Sequence, residues 1–343
     1  MRFRGWRSRT VTTLAGPVTL WRPYWHCAAC GTGVAPADAR WALPADGASL
    51  AVQTLAALVG TVQPFRQAAE MLQRLTGVMV SARSIETWTE QLGQGYTPPA
   101  LAPTAPGPTA DVLVLQADAV MTCFHDGWHE EKVAMAWRIV DGKAQPARYV
   151  TGEGTWEAFT PSLAALARRA GQRRARQLVC VADGAPAIWR LFTCCYPDAF
   201  QLVDWYHVQE HLALVAAALG EAGAAWHAVQ REALRTQGPV PTLWALRGLG
   251  RTGATRAVRE AAQACFRYLW RHRHRLDYPT ALRRGYPIGS GRIESGCKQL
   301  VQQRAKLAGM RWSHPHLQTV LAARCAFFNG DWDLACAQYA KAA

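Results

Sequence analysis

The chain is short of negative charge and has no long apolar run. Asp and Glu number 24 against 38 Lys and Arg in 343 residues, which leaves a formal net charge of +14. Such an excess suits a polyanionic partner, although a solubilising surface charge produces the same count. No uncharged apolar stretch approaches the roughly 18 residues needed to span a bilayer, so no membrane partner is expected. The opening MRFRGWRSRT lacks the apolar core of a secretory signal. Ten cysteines lie at irregular spacings, unlike a small disulfide scaffold, so a cytoplasmic protein with mostly reduced thiols is expected. Half of the residues are hydrophobic, which excludes a disordered chain, and the length suits two or three domains.

Near the amino end, RTVTTLAGPVTLWR alternates β-branched and small residues about an Ala-Gly-Pro break, predicting a hairpin. It runs into YWHCAACG, where Cys27 and Cys30 have the spacing of a zinc knuckle. A structural Zn²⁺ needs four ligands and only one CxxC is present, so a partial zinc ribbon over 1–45 and two incidental thiols both stand.

Residues 46–96 have helical periodicity. Ala68, Ala69, Leu72 and Leu75 fall on one stripe, Gly77 marks a turn, and Ser81 has the character of an N-cap for a helix carrying Ile85 and Trp88. Helix, turn, helix is a DNA-reading layout, with Arg83 at the start of the second helix, and equally a packing hairpin. The prolines of 97–110 predict a linker.

From Asp111 onward, three hairpin-linked strands (DVLVLQADAV, EEKVAMAWRIV, ARYVTGE) precede alternating helix and strand (RQLVCVADGA, AFQLVDWYHV). That order predicts a ribonuclease H-like α/β domain with a mixed five-stranded sheet, built from 111–212 and 285–332 and interrupted by a helical insertion at 213–284. In that layout the ends of the first and fourth strands are neighbours, and they carry Asp118 and Asp183. Two carboxylates brought together repel unless a cation lies between them, and oxygen ligands of this kind suit Mg²⁺ or Mn²⁺. A single aspartate at a strand end is more often a turn residue; it is their shared placement that carries weight. Glu294 follows the Gly289 and Gly291 entry to a further helix, in the first turn, where the helix dipole favours an anion. Lys298, four residues on, shares that face. Within the insertion, RYLWRHRHRL presents Arg271, Arg273 and Arg275 either to phosphates or to solvent.

The strings LQADAVMTCFHDGWHEEKVAMAWRI, VADGAPAIWRLF, QLVDWYHVQEHL and PIGSGRIESGCKQLVQQRAKLAGMRW together resemble the DDE transposases of bacterial insertion sequences, in particular the Kra-type group. The likeness runs from about residue 9 to Trp332, with four motifs in the family's order, and departs from it at Ala119, where the family commonly has Gly. The resemblance implies a metal-dependent DNA strand-transfer enzyme whose catalytic and metal-binding residues are Asp118, Asp183 and Glu294. It places the family's Asp-x-Tyr-His box on Asp204 to His207, with Asp204 and His207 supporting the site. It further implies terminal inverted repeats and target DNA as partners, a homodimer or higher oligomer on DNA, and association with the nucleoid when bound. The cationic residues expected on DNA are Arg83, Lys298, Arg304, Lys306 and Arg311. The family's fuller zinc ribbon leads one to expect a second CxxC upstream of Met1. A structure-specific nuclease on the same fold, or an inactive DNA-binding descendant, would share much of this pattern.

Overall fold

Strands β1 (Arg2–Thr13) and β2 (Gly16–His26) form the expected hairpin, longer than 9–22, and β3 (Gly33–Val34) pairs with the end of β2. In this computed structural model residues 1–41, 43–99, 111–252 and 255–342 are described, so most of the predicted linker, 100–110, lies outside the described residues. Next come α1 (Pro36–Arg40), α2 (Leu50–Val62), α3 (Phe65–Thr76) and α4 (Ala82–Gly95). Gly77 closes α3 at φ 74°, in the left-handed region that favours glycine, and the Ser81 hydroxyl accepts from Ser84 N–H at 3.0 Å to begin α4. Ala68 and Leu72 are buried as the stripe requires, whereas Leu75 is exposed at the fraying end of α3.

The chain divides into two compact units, Pro99–Gln302 and a unit that joins Met1–Pro98 to Gln303–Ala343. Within the first of these the main strands are β4 (Val112–Phe124), β5 (Gly127–Val140), β7 (Arg148–Gly152), β8 (Gln177–Ala182) and β9 (Phe200–Val203), with β6 (Lys143–Ala144) a two-residue addition. It is an α/β unit with a mixed sheet: β5 runs antiparallel to β4 and β7, while β8 and β9 run parallel to β4. Spatial order is β7-β5-β4-β8-β9, with β6 at the end of β5. Fully buried runs at Leu113–Leu115, Val133–Met135 and Val179–Ala182 explain why these segments read as continuous apolar strings. Helices α5 (Trp156–Arg169) and α6 (Pro186–Cys195) contribute Phe159, Leu163, Ile188 and Phe192 to the core.

The insertion is helical, as read from sequence: α7 (Trp205–Leu219), α8 (Gly223–Thr236), α9 (Pro239–Thr252), α10 (Arg256–Arg271) and α11 (Tyr278–Arg283). By length and composition alone Trp205–Thr236 is apolar enough to cross a membrane. A 3₁₀ turn at Gly220–Ala222 interrupts it, and α8 packs against both α7 and α9. The unit ends with α12 (Gly291–Cys297) and a π-helical turn, Lys298–Gln302.

The stretch 303–332 departs from the expected domain boundary, because Gln303–Ala343 belongs with Met1–Pro98. After the short α13 (Gln303–Ala305), α14 (His314–Phe328) and α15 (Trp332–Ala342) supply Ala323, Ala326, Ala335 and Tyr339 to a core shared with Val52, Ala56, Ile85, Trp88 and Leu92. Gly93 lets α4 approach α14 closely: a Cβ there would lie 1.9 Å from the Thr319 carbonyl oxygen. Two buried arginines finish α2. Arg304 donates to Gly60 O at 3.1 Å, and Arg324 donates to Thr61 O, so both cations meet the carbonyl end of the helix.

Candidate active site

Register alone brings the first two aspartates together. Gln116 pairs with Val181 across the parallel β4–β8 ladder, so Asp118 and Asp183 stand level two residues further along; Asp183 follows the end of β8, whereas Asp118 lies in the middle of β4 and not at the strand end expected. Ala182 pairs with Val203, which sets Asp204 level with Asp183 on the next strand. β8 stops at Ala182 while β4 continues to Phe124 in its hairpin with β5, and that unequal length opens the space above Asp118. A crevice beyond the carboxyl ends of parallel strands is the usual ligand position in an open α/β sheet.

Glu294 reaches the same place through a series of hydrogen bonds. Buried Gln116 donates to Gly289 O at 3.1 Å and accepts from Trp137 Nε1–H at 3.3 Å, fixing the loop before α12. Trp205 N–H donates to Ile288 O at 2.8 Å, and Ser290 N–H donates to Asp204 Oδ1 at 3.0 Å. The Ser290 hydroxyl then donates to Glu294 Oε1 at 2.7 Å. Asp204 also caps α7, accepting from Tyr206 and His207 N–H at 3.2 Å each. Its carboxylate thus ties the start of α7 to the loop before α12.

The result is one open cleft of about 630 Å³ whose lining includes Asp118, Asp183, Asp204, His207, Ser290 and Glu294. Among the described residues no Lys or Arg lines it. Burial, foremost, raises the Asp118 carboxyl above the usual aspartate value of 3.8, and the negative charges of Asp183 and Glu294 push the same way against the Ala119 N–H bond. The oxygens of the three carboxylates are not all within 4.8 Å of one another. All-oxygen donors, crowded negative charge and open space for water fit a hard divalent cation such as Mg²⁺.

Around this cleft the insertion supplies an aromatic wall. Tyr268 stacks on His211 at 3.8 Å and lies so close to Gly184 that a Cβ there would meet its ring at 2.4 Å. His207 pairs with Glu210 at 3.4 Å, and burial, with the His207 charge, lowers the His211 pKa. Ser290, Gln116 and Tyr268 escaped the sequence reading. Two had a signal: a polar residue interrupting the apolar run two residues before Asp118, and a hydroxyl four residues before Glu294.

The cationic expectations divide. Arg83, Lys298, Lys306 and Arg311 are exposed, with Arg83 paired to Glu86 at 2.8 Å. Lys298 follows α12, one α-helical turn after Glu294, to whose carbonyl oxygen its N–H donates; it is not among the described residues that line the cleft. Arg304 is a correction: at 1% exposure, held by Gly60 O and stacked over Phe65 and Trp312, it is not available to DNA. Arg275 is likewise committed, to Gln201, Thr193 and the Trp189 ring. Cys27 and Cys30 sit in a tight knuckle, and hydrogen bonding with Thr32, foremost, brings the Cys30 thiol down to about 7. Among the described residues no third His, Cys, Asp or Glu joins them in a metal-sized group. Such a group does occur at Glu86, Glu90 and His316. No protein-family model matches this chain, and no curated protein matches it.

Proposed function

We propose that the chain is a DDE-type transposase whose sheet is ribonuclease H-like and whose active site is Asp118, Asp183 and Glu294. The observation that carries this reading is the convergence of those three carboxylates, from β4, the end of β8 and the first turn of α12, on one cleft. The strand order β7-β5-β4-β8-β9 supports it, since consecutive main strands fall in the order third, second, first, fourth, fifth.

Asp118 would hold divalent metal from the middle of β4 and Asp183 from the end of β8, with Glu294 completing the set from the helix. Bound there, the metal supplies charge neutralisation and an activated oxygen for in-line phosphoryl displacement. The chain's own contribution is positioning. Asp204 and Ser290 lock α12 against α7, which fixes the distance from Glu294 to the strand carboxylates. Water or a terminal 3′ hydroxyl attacks phosphorus in the cleft, the departing oxygen leaves on the opposite side, and no covalent protein intermediate is needed. Helices α3 and α4, joined by the turn at Gly77, would recognise the element's ends.

The test is Mg²⁺-dependent nicking and joining of DNA carrying the flanking inverted repeats. Asp118→Asn, Asp183→Asn and Glu294→Gln are expected to abolish both steps while leaving end binding intact. Nicking without joining by the unaltered protein would make it a nuclease instead, and normal nicking by any of the three variants removes that residue from the site.

A further inference from the structure

The arginines of RYLWRHRHRL, which the carboxylate cleft leaves unused, do not share one environment. They stand at the end of α10 and in the 3₁₀ turn Arg273–Arg275 that follows it. Arg273 folds back on its own helix, 4.6 Å over the Trp270 ring and donating to Trp270 O at 2.9 Å. Arg271 and Arg275 instead line a second cavity of about 580 Å³, together with Trp189, Arg190 and Thr193 of α6. Spacings of three and four put those α6 residues on one face of the helix. Both helices belong to the unit Pro99–Gln302.

Among the described residues three guanidiniums border this cavity and no carboxylate does. Arg190 and Arg271 are exposed, and neither is ion-paired; the Arg190 charge is felt by Glu157 of α5, itself open to water. Arg275 is fixed by neutral partners, Gln201 at 2.9 Å, Thr193 at 3.0 Å and the Trp189 ring, so its charge is held in place without being offset. His272 also lines the cavity. It is 2% exposed, and neither ring nitrogen has a hydrogen-bond partner, the nearby Gly184 backbone not closing one. Buried polar groups are seldom left so, and one at the wall of a cavity marks where a polar atom of a ligand belongs.

Cleft and cavity divide the charge between them. Asp118, Asp183, Asp204, Glu210 and Glu294 line the cleft without a described Lys or Arg, and the cavity has the reverse. One aromatic layer separates the two: Tyr268 packs on Gly184, beside Asp183, and meets His272 at 5.0 Å. Carboxylates that hold metal repel each phosphate not on the metal, so cations that grip the rest of a strand have to stand outside them. We propose that the cavity between α6 and the end of α10 seats backbone phosphates of the DNA that enters the cleft. Arg190 and Arg271 make the contacts, His272 adds a neutral hydrogen bond, and Arg275 lends its charge. The choice of DNA rests on the proposed function, but the test reads binding without metal and so fails separately from cleavage.

The experiment measures anisotropy of a labelled blunt duplex with the full chain, in EDTA, over a range of salt. Arg190→Gln/Arg271→Gln is expected to weaken binding about tenfold near 0.1 M salt and to flatten the salt slope by at least about one phosphate's contribution. Both side chains are exposed, so its melting temperature should match that of the parent. Arg231→Gln/Arg235→Gln removes the same charge from exposed positions on α8 and should leave the slope as it was. His272→Phe loses only a neutral partner and should lower affinity at an unchanged slope. A parent that binds the duplex with a slope unaltered in the Arg190/Arg271 variant overturns the site and leaves the proposed function standing, as does an equal change in the α8 variant. Thymidine monophosphate held by the parent and lost in the Arg190/Arg271 variant, with the duplex slope unaltered, overturns it in favour of a free-nucleotide pocket. A parent that binds no DNA overturns the site and the proposed function together.

Discussion

Cys297 donates its thiol hydrogen to Asp118 Oδ2 across 3.6 Å, so the strand carboxylate and the helix that bears Glu294 are in direct contact. Cys297 is buried, and its thiol is pushed up by burial and by the Asp118 charge, which keeps it a donor. If this contact sets the separation of the carboxylates, Cys297→Ala should raise the Mg²⁺ concentration needed for nicking by about tenfold, within the range found for outer partners of metal ligands. Cys297→Ser should restore it. An unchanged Mg²⁺ dependence in the alanine variant would reduce the contact to packing.

Asp118 should also oppose stability when metal is withheld. Its carboxyl is raised above 3.8, so between that value and its raised one the folded state holds a proton that the unfolded chain has lost. The associated stability is complete below 3.8 and is lost as pH climbs through the raised value. At neutral pH, metal-free Asp118→Asn is therefore expected to melt no lower than the parent, and Mg²⁺ should raise the parent's melting temperature more than the variant's. Thermal scans with and without EDTA check both statements.

His272 gives the opposite slope. It is 2% exposed against Trp189 and Tyr268, and burial, then the Arg275 and Arg271 charges, lower it to about 4. Between about 4 and the ordinary 6.5 the unfolded chain binds a proton that the folded one refuses, so stability falls as the solution is acidified through that window. The loss should be about 2 kcal/mol or less. His272→Phe should flatten the curve of melting temperature between pH 7 and 4.

Arg304 separates burial from DNA contact. Arg304→Gln should destabilise the unit containing Met1–Pro98 by about 2–4 kcal/mol, because the end of α2 loses its cation and two aromatic rings lose their partner. Lys306→Gln and Arg311→Gln, both at exposed positions, should leave melting unchanged. Each is expected to reduce the salt slope of DNA binding by about one phosphate. Equal melting temperatures for all three variants would contradict the buried role of Arg304.

Period and order made the sheet and the first two aspartates legible. Uninterrupted apolar strings mark strands buried on both faces, and Asp118 and Asp183 follow such strings at matching distances. Glu294 was legible only through resemblance, since nothing local shows that Gln116, Asp204 and Ser290 bind the loop before it. The fate of Arg304 was hidden for a different reason. An arginine among QQRAK reads as surface, and only the folded chain brings the Gly60 carbonyl, Phe65 and Trp312 against it.

One core in this protein is assembled from both sides of the other. Ile85, Trp88 and Leu92 are made before the sheet, and Ala323, Ala326, Ala335 and Tyr339 after it. During synthesis the sheet and its carboxylates therefore emerge whole while the helices ahead of them still lack half of their apolar partners. A ribosome that stalls beyond Gln302 would release a chain with a finished cleft and an unfinished α2–α4 bundle, its apolar face bare to chaperones and proteases. The bundle, and not the cleft, is thus the part whose completion depends on residues made after the sheet.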